Sequence, residues 1–170
     1  MLDLADVEDV IMSTMHNLDA TDARLLLALA DSPRATGLDL AQRLGLSRNT
    51  VQARVAALES RGALRTSDTR VQPVALGYPL TAFITTQVNQ HMLNGVGDAL
   101  GQIPEVIEVH GLTGATDLLV RVVARDPDDL YRISALVLAI PGVERTSIAL
   151  SMHEMVNYRV SPLLHRRVVG

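Results

Sequence analysis

The sequence contains no cysteine and no lysine. Without thiols the chain can form no disulfide, thiolate nucleophile or thiolate zinc site, although this says little about redox compartment beyond compatibility with the cytosol. The five histidines show no close pairing at metal-ligand spacing, and neither a Gly-x-Ser-x-Gly motif nor an acid–base carboxylate pair stands out. We therefore expect no enzyme active site, no metal and no cofactor.

Long apolar runs are absent as well. No stretch approaches the roughly 20 apolar residues that a membrane helix needs, and the acidic residues at positions 3, 6, 8 and 9 are unlike the basic start of a signal peptide. We therefore expect a cytoplasmic protein. Because 48% of the 170 residues are hydrophobic, the chain can bury the core of one ordinary domain or of two small ones.

Positive charge is scarce overall but concentrated in one segment. The formal net charge is −4, yet residues 41–70 hold six arginines and only two acidic residues, a local charge of +4. Attraction to phosphate depends on such local clusters, and arginine can bind phosphate or guanine through two parallel hydrogen bonds. Residues 41–70 are thus a candidate nucleic-acid surface, the alternative being an ordinary solvated helical face.

Two helices are predicted from capping boxes, in which a short polar residue is followed three residues later by an acid. The two pairs are Asp19 with Asp22 and Thr36 with Asp39. The first helix must end before Pro33, and Gly45 suits the left-handed residue that ends the second. Upstream of both, apolar residues at helical spacing predict a short amphipathic helix within residues 1–16.

A third helix is predicted to begin after Ser47, a favourable N-cap residue, and to end near Arg61. Its apolar residues recur at helical spacing and so face inward. The pattern Ala41-x3-Gly45-x5-Val51 is what a helix-turn-helix requires: a small residue where the helices cross, a glycine in the turn and a β-branched anchor. The second and third helices therefore form a candidate helix-turn-helix within the arginine-rich segment.

Two short β-prone pieces, Ala63–Thr66 and Arg70–Val74, follow the third helix and predict a hairpin. Three capped helices followed by a hairpin are the arrangement of a winged helix-turn-helix. DNA binding is the favoured interpretation, and a winged helix used only for protein contact is the alternative. Gly77 and Pro79 mark the boundary to the second half of the chain.

The residues expected to contact DNA follow from the orientation of the third helix. With its apolar face inward, Arg48, Asn49 and Gln52 point towards the groove, where arginine suits guanine and the two amides suit adenine. Thr50 and Arg54 suit phosphate contacts or internal hydrogen bonds. The full predicted set is Arg43, Ser47, Arg48, Asn49, Thr50, Gln52, Ala53, Arg54 and, on the wing, Arg65 and Arg70.

The second half contains a short internal repeat at an offset of 37 residues. Residues 102–106 match residues 139–143 around a shared Ile-Pro, and in the same register the strand-like segment 80–88 overlays 117–125. Each copy runs strand, helix, strand, which predicts an α+β fold with a βαββαβ ferredoxin-like sheet and its helices on one face. Another subunit must then cover the other face, which carries Arg145, Ser147, Ala149 and Ser151, so we expect an obligate homodimer.

A glycine-rich segment, Gly95–Gly101, superficially resembles a dinucleotide-binding fingerprint. Its glycines run Gly-x-Gly-x-x-x-Gly, and six residues separate it from the preceding strand, whereas a phosphate loop begins almost at the end of its strand. The first helix of the repeat explains these glycines better.

Three sequence motifs and the βαββαβ half together resemble the Lrp/AsnC (feast/famine) family of regulators over about residues 17–160. The motifs are Leu18-Asp19-x2-Asp22, Leu44-Gly45-Leu46-Ser47 and Thr50-Val51-x2-Arg54-Val55-x2-Leu58-Glu59-x2-Gly62. The resemblance implies that the third helix enters the major groove of double-stranded DNA. It also implies that the C-terminal half is a RAM domain, which forms dimers and higher assemblies such as tetramers or octamers and responds to amino acids or related metabolites.

A candidate effector loop joins the two middle strands of the second half. It comprises Leu112, Thr113, Gly114, Ala115, Thr116 and Asp117. Free backbone groups and the threonine hydroxyls suit a polar ligand, and Asp117 suits an α-amino group. A plain β-turn shaped by Gly114 and capped by Asp117 is the alternative. The resemblance favours the ligand site, because Gly114-x-x-Asp117 matches the Gly-x-x-Asp of the family's effector loop, which lies between dimers.

The expected organisation has four parts: a helical extension over residues 1–16, a winged helix-turn-helix over 17–76, a RAM domain over 77–160 and a C-terminal tail over 161–170. Within the tail, the basic residues His165-Arg166-Arg167 are expected to be solvated. The favoured function is a sequence-specific DNA-binding transcription regulator. The alternative is a metabolite-binding module or small enzyme on the ferredoxin-like half, with the helical half serving assembly only.

Overall fold

The computed structural model describes residues 18–64 and 71–169, which form two compact units. One unit comprises residues 18–64 together with 156–169, and the other comprises residues 71–155. The helix predicted within residues 1–16 lies outside the described residues, as do Arg65 and Arg70. No helix in the described part of the chain is long and apolar enough to cross a membrane.

Six helices and four strands make up these units, numbered here in chain order. They are α1 (Ala20–Asp31), α2 (Gly37–Leu44), α3 (Arg48–Ser60), β1 (Leu80–Val88), α4 (Leu93–Leu100), β2 (Val106–Gly111), β3 (Leu118–Ala124), α5 (Pro127–Leu138), β4 (Val143–Leu150) and α6 (Ser161–Val169). Two short 3-10 helices lie at Pro73–Leu76 and Gln90–Met92.

The first three helices begin where the cap signals predict. Asp19, Thr36 and Ser47 are their N-cap residues, and each side chain accepts a hydrogen bond from the backbone N–H three residues on, at 2.7, 3.2 and 3.1 Å respectively. Each cap satisfies one of the amides that a helix start leaves without a partner. Gly45 ends α2 with a φ of +67°, as the left-handed stop requires.

The core of the first unit is formed by α1, α2 and α3, and α6 completes it. Leu25, Val51 and Leu58 are fully or almost fully buried, and Leu164 of α6 packs into the same cluster at 8% exposure. The sequence predicts a C-terminal tail over residues 161–170 and no helix, whereas the structure has a helix there that packs on α1. The basic side chains at positions 165–167 remain exposed, as predicted.

The predicted wing differs from the structure at its second strand. Within residues 63–64 and 71–76, which are the described part of this region, there is no strand, and Pro73 begins a 3-10 helix that ends at Gly77 with a φ of +88°. Proline fixes φ near −65° and donates no backbone hydrogen bond, so it favours a helical first turn over a paired strand. The predicted strand therefore does not extend to Val74.

The second unit is a four-stranded antiparallel sheet in the order β2-β3-β1-β4. This is the predicted ferredoxin-like βαββαβ arrangement. Alternate residues of β1 and β3, such as Ile84 and Val120, are fully buried against Val96 of α4 and Ile133 of α5. Both helices therefore cover the same face of the sheet, and the segment Gly95–Gly101 belongs largely to α4, as predicted.

Gly142 is one position at which the two copies of the internal repeat differ. Gly142 follows the second Ile-Pro, has a φ of +99°, and occupies the position held by Glu105 in the first copy. A Cβ built on Gly142 would lie 2.8 Å from Cβ of Met92. Its carbonyl oxygen accepts a hydrogen bond from the N–H of Asn89 at 2.8 Å. The chain entering β4 is therefore in direct contact with the segment that starts α4.

No helix of the second unit covers the other face of the sheet. Arg145, Ser147 and Ala149 are exposed there, and Ser151 is half-buried. Near the middle of this face, Arg121 donates to Glu108 at 3.1 Å in a half-buried ion pair. On the helix-covered side, Ile148 and Leu150 at the sheet edge are each 43% exposed, so β4 is incompletely covered on both faces.

Candidate nucleic-acid interface and ligand loop

The outer face of α3 presents hydrogen-bonding side chains that have no internal partner. Val51 and Leu58 anchor the helix at 1% and 2% exposure. Arg48, Asn49, Gln52 and Ala53 are exposed, as predicted from the helical spacing. Within residues 18–64 and 71–169, the first three make no hydrogen bond or ion pair. This face can therefore supply one guanidinium and two amide groups to a polar partner without breaking existing contacts.

Arg54 lies on the same helix but is held internally. Its Nη1 atom donates to Asp19 Oδ2 at 2.7 Å and to Asp22 Oδ1 at 2.6 Å. These two bonds raise the pKa of the guanidinium, and the pKa of Asp19 is lowered, first by the N–H of Asp22 and then by Arg54. The sequence offers phosphate contacts or internal hydrogen bonds as the role of Arg54, and the structure contains the internal hydrogen bonds.

Three further residues of the predicted set also have internal partners. Arg43 donates to Asp31 Oδ2 at 2.5 Å and to Ser32 Oγ at 3.3 Å, which connects the end of α2 to the end of α1. The hydroxyls of Ser47 and Thr50 lie 2.8 Å apart at the start of α3. The positive charge available to a partner is therefore smaller than the arginine count of residues 41–70 suggests.

Arg61 is a candidate contact that the predicted set omits. It is exposed, borders the same surface depression as Asn49, Thr50 and Ala57, and has no partner among the described residues. Its spacing of four residues from Ala57 places it on that helical face and could have identified it. The roles of Asp19 and Asp22 as partners of Arg54 had no such signal, because more than thirty residues separate them from it.

The predicted ligand loop is closed by backbone hydrogen bonds. The N–H of Leu112 donates to the carbonyl of Asp117 at 2.8 Å, and Gly114 has a φ of +118°. Thr113, Gly114 and Ala115 are exposed, while Leu112, Thr116 and Asp117 are half-buried. The amide of Gln87 donates to the carbonyl of Ala115 at 2.8 Å, so β1 holds the loop from one side.

The Asp117 carboxylate already has two partners. Oδ2 accepts the N–H of Val88 at 2.8 Å, and Oδ1 accepts the side-chain amide of Gln90 at 2.6 Å. Neither donor lies within the turn, so these bonds are not the turn cap that the sequence left as the alternative; they join the loop to the end of β1 and to the segment that follows it. A ligand amino group would have to share the carboxylate or displace Gln90. Gln87 and Gln90 are positioning residues that the sequence did not indicate, because both lie more than twenty-five residues before the loop contacts they make.

No group of three or more histidine, aspartate or glutamate side chains is arranged to hold a metal ion in the described part of the chain.

The fold and these two sites define a class: transcription regulators that join a DNA-binding helix-turn-helix to a ligand-binding domain. Residues 18–65 match a family described as "Winged helix-turn-helix DNA-binding", and residues 81–161 match "Lrp/AsnC ligand binding domain". The first match covers the N-terminal part of the first unit, and the second covers most of the second unit and continues into the segment after residue 155.

Relatives extend the similarity over most of the chain. The HTH-type transcriptional regulator FL11 of Pyrococcus horikoshii is 30% identical over 81% of this chain and 92% of its own, and the proline dehydrogenase transcriptional activator of Rhodobacter capsulatus is 32% identical over 82% and 93%. A structure of a transcriptional regulator from Neisseria meningitidis in complex with L-methionine is 25% identical, with a TM-score of 0.73 over 83% of this chain and 94% of its own. The chain belongs to the Lrp/AsnC family of transcription regulators.

Proposed function

We propose that this regulator reads a specific sequence of double-stranded DNA through α3, acts as a homodimer, and changes its DNA binding when an amino acid or related metabolite occupies the loop over residues 112–117. The observation that carries the DNA-binding part is the outer face of α3. Arg48, Asn49 and Gln52 are exposed and unpaired among the described residues, on a helix whose opposite face is firmly buried.

Base recognition follows from the chemistry of these three side chains. Arginine can donate two hydrogen bonds to O6 and N7 of guanine, and asparagine or glutamine can bond N6 and N7 of adenine. An α-helix fits the major groove, where each base pair has a distinct pattern of donors and acceptors. Arg61, and Arg65 and Arg70 beyond the described residues, would then contact phosphates beside the groove.

The effector proposal has support from the loop and from the relatives. The loop exposes Thr113, Gly114 and Ala115 beside a carboxylate, a combination that suits the charged ammonium and carboxylate groups of an amino acid. The matched domain is described as ligand-binding, and one structural relative was solved with L-methionine. The ammonium group of an amino acid would bind the Asp117 carboxylate by replacing the hydrogen bond that the Gln90 side chain now donates to it.

The homodimer proposal is supported by the uncovered face of the sheet. A second copy placed there would bury the Arg121–Glu108 pair and the apolar residues beside it, such as Phe83 and Leu119. Two copies present two α3 helices and imply a near-palindromic DNA site. Tetramers or octamers would form by further contacts between such dimers.

One experiment tests DNA binding and effector response together. Gel-shift titrations of the full chain with genomic DNA fragments at two salt concentrations, with and without each of the twenty amino acids, should yield a retarded fragment whose affinity changes with at least one amino acid. An Asp117→Ala variant should bind DNA normally and lose the amino-acid response. If no fragment is retarded at low salt, with or without any of the amino acids, the DNA-binding proposal is refuted.

Light scattering tests the assembly. The full chain at micromolar concentration should have the mass of a dimer or of a multiple of it. Ala149→Glu places a charge on the proposed buried face and should lower that mass. A wild-type monomer would contradict the dimer.

A further inference from the structure

Arg54 connects the proposed recognition helix to the start of α1. Its Nη1 atom lies 2.7 Å from Asp19 Oδ2 and 2.6 Å from Asp22 Oδ1. The other oxygen of each carboxylate belongs to the capping box: Asp19 Oδ1 accepts the N–H of Asp22 at 2.7 Å, and Asp22 Oδ2 accepts the N–H of Asp19 at 3.4 Å. All four carboxylate oxygens are therefore used, and the helix cap and the arginine hold one another in place.

The position of Arg54 on α3 gives this contact a specific mechanical effect. At about 100° per residue, Arg54 lies about 60° around the helix from Val51, at the edge of the buried stripe that also contains Leu58. Apolar contacts along the stripe hold the helix against its support but are not directional, whereas a hydrogen-bonded ion pair has a preferred distance and angle and so adds a restraint on rotation about the helix axis. An ion pair at the edge of the stripe supplies that restraint.

Small rotations matter on the outer face. A rotation of about 10° moves an atom at the outer radius of a helix, about 6 Å from its axis, by about 1 Å. Hydrogen bonds to bases need donor–acceptor distances within about half an ångström of the optimum. Arg48, Asn49 and Gln52 can therefore meet their bases together only if the rotation of α3 is fixed.

We propose that Asp19, Asp22 and Arg54 are positioning residues that fix the rotation of α3, so that sequence discrimination depends on them although none of them reads a base. This inference rests on the proposed binding of DNA through α3. Asp22 is the central member, because its side chain is the most buried of the three and accepts bonds from both the arginine and the cap.

A phosphate-binding role for Arg54 makes the opposite prediction for one variant. Asp22→Asn removes a negative charge near the DNA-facing helix and weakens one of the two acidic contacts of Arg54, so electrostatics alone predicts tighter binding to every DNA. If the ion pair instead fixes the rotation of α3, Asp22→Asn should weaken binding to the preferred DNA sequence and leave the affinity for other sequences undiminished. The sign of the change on preferred DNA thus separates the two roles.

The test uses the full-length chain and two DNA duplexes. One duplex is selected by the wild-type protein from a random pool, and the other is a scrambled duplex of the same composition. Affinities of Asp22→Asn, Arg54→Met and the double variant are measured by fluorescence anisotropy at several salt concentrations, with thermal melting to confirm folding. Asp31→Asn is the matched control, because it removes the same charge from an exposed ion pair at the other end of α1.

We expect the ratio of selected to scrambled affinity to fall about tenfold in each single variant, the loss that follows when one base contact is misplaced. The double variant should fall little further, because both changes break the same contact. The salt slope on scrambled DNA should not decrease, whereas loss of a phosphate contact would lower it by about 0.9. Asp31→Asn should leave the ratio unchanged.

An unchanged ratio in Asp22→Asn would overturn the inference. So would an Arg54→Met variant that weakens both duplexes alike with a lower salt slope, because that is the behaviour of a phosphate contact. A wild-type protein that selects no sequence would refute the proposed function instead. Should Asp22→Asn fail to melt cooperatively, Asp19→Asn carries the same test, since its side chain is 54% exposed and less critical to folding.

Discussion

Among the glycines of the described residues, Gly142 is the one at which an added Cβ would come closest to a neighbouring atom. Its φ is +99°, a conformation that side-chain-bearing residues rarely adopt, and a Cβ would approach Met92 Cβ to 2.8 Å. Gly142→Ala should lower the free energy of unfolding of the second unit by about 1–3 kcal/mol, from backbone strain together with the displaced neighbour. Urea unfolding followed by circular dichroism measures the loss.

Gly97→Ala is the matched control. Gly97 lies within α4, its added Cβ meets no atom within 4 Å, and alanine is the better helix former by about 0.5–1 kcal/mol. This variant should therefore be as stable as wild type or more stable. Equal losses at the two glycines would show that the close contact at Gly142 contributes nothing.

Asp129 carries the other residue-scale prediction. Its carboxylate is almost fully buried and accepts hydrogen bonds from the side chains of Arg125 and Arg132 and from the N–H of Arg125. These bonds, those of Arg125 first, hold its pKa well below the usual 3.8. A lowered folded-state pKa stabilises the fold above the unfolded pKa, and this contribution is lost as the pH falls towards the folded one.

Asp129→Asn should accordingly be less stable than wild type at pH 7, and the difference should shrink as the pH falls below about 4, where unfolded aspartate gains its proton. Thermal melting of both proteins between pH 7 and pH 3 measures this convergence. A stability difference that stays constant across the range would mean that the charge of Asp129 is not what matters.

Among the elements, α6 is the one whose contribution is easiest to isolate. Leu164 is 8% exposed in the cluster formed by α1, α2 and α3, whereas the adjacent Leu163 is 62% exposed. Leu164→Asp buries a charge without a partner and should destabilise the first unit by about 3 kcal/mol or more. Leu163→Asp should change stability by less than about 0.5 kcal/mol. Guanidinium unfolding of both variants checks the pair, and similar losses would contradict the packing of α6.

Elements with a local signal were predictable, and those set by distant contacts were not. The starts of α1, α2 and α3 could be predicted from the N-cap residues Asp19, Thr36 and Ser47, because each cap is complete within four residues. The second wing strand was overpredicted, since β-prone residues at positions 71 and 74 outweighed the constraint of Pro73. The helix α6 was missed because its stabilising contact is with α1, which lies more than a hundred residues earlier in the chain.

The same distinction applies to the sites. The exposed face of α3 follows from helical spacing, so Arg48, Asn49 and Gln52 could be identified from the sequence alone. Whether a charged side chain is free or paired depends on residues far away in the chain, as Arg54 and Asp117 both illustrate. Sequence indicates which side chains lie at a site, and the fold decides which of them are available.

For the whole molecule, internal ion pairs limit the salt dependence of DNA binding. If all six arginines of residues 41–70 met phosphates, the log–log slope would be about 5 per subunit, since each contact adds about 0.9. Arg43 and Arg54 are paired with acids, so we expect a slope of at most about 4 per subunit. The slope can be measured by anisotropy titrations on one duplex between about 50 and 300 mM salt, because counterion release makes the affinity fall with salt over such a range. A slope steeper than about 4 would mean that these ion pairs open when the protein binds DNA.

The return of α6 to the first unit has a consequence for biosynthesis. The residues of α1 leave the ribosome well before the helix that completes their packing, because α6 follows α1 by more than a hundred residues. At about 5–20 residues per second, the intervening chain takes on the order of ten seconds to make. During that interval the surface of α1 that later meets α6 is exposed to solvent, to chaperones and to neighbouring nascent chains, so the first unit begins to emerge before the second and is completed after it.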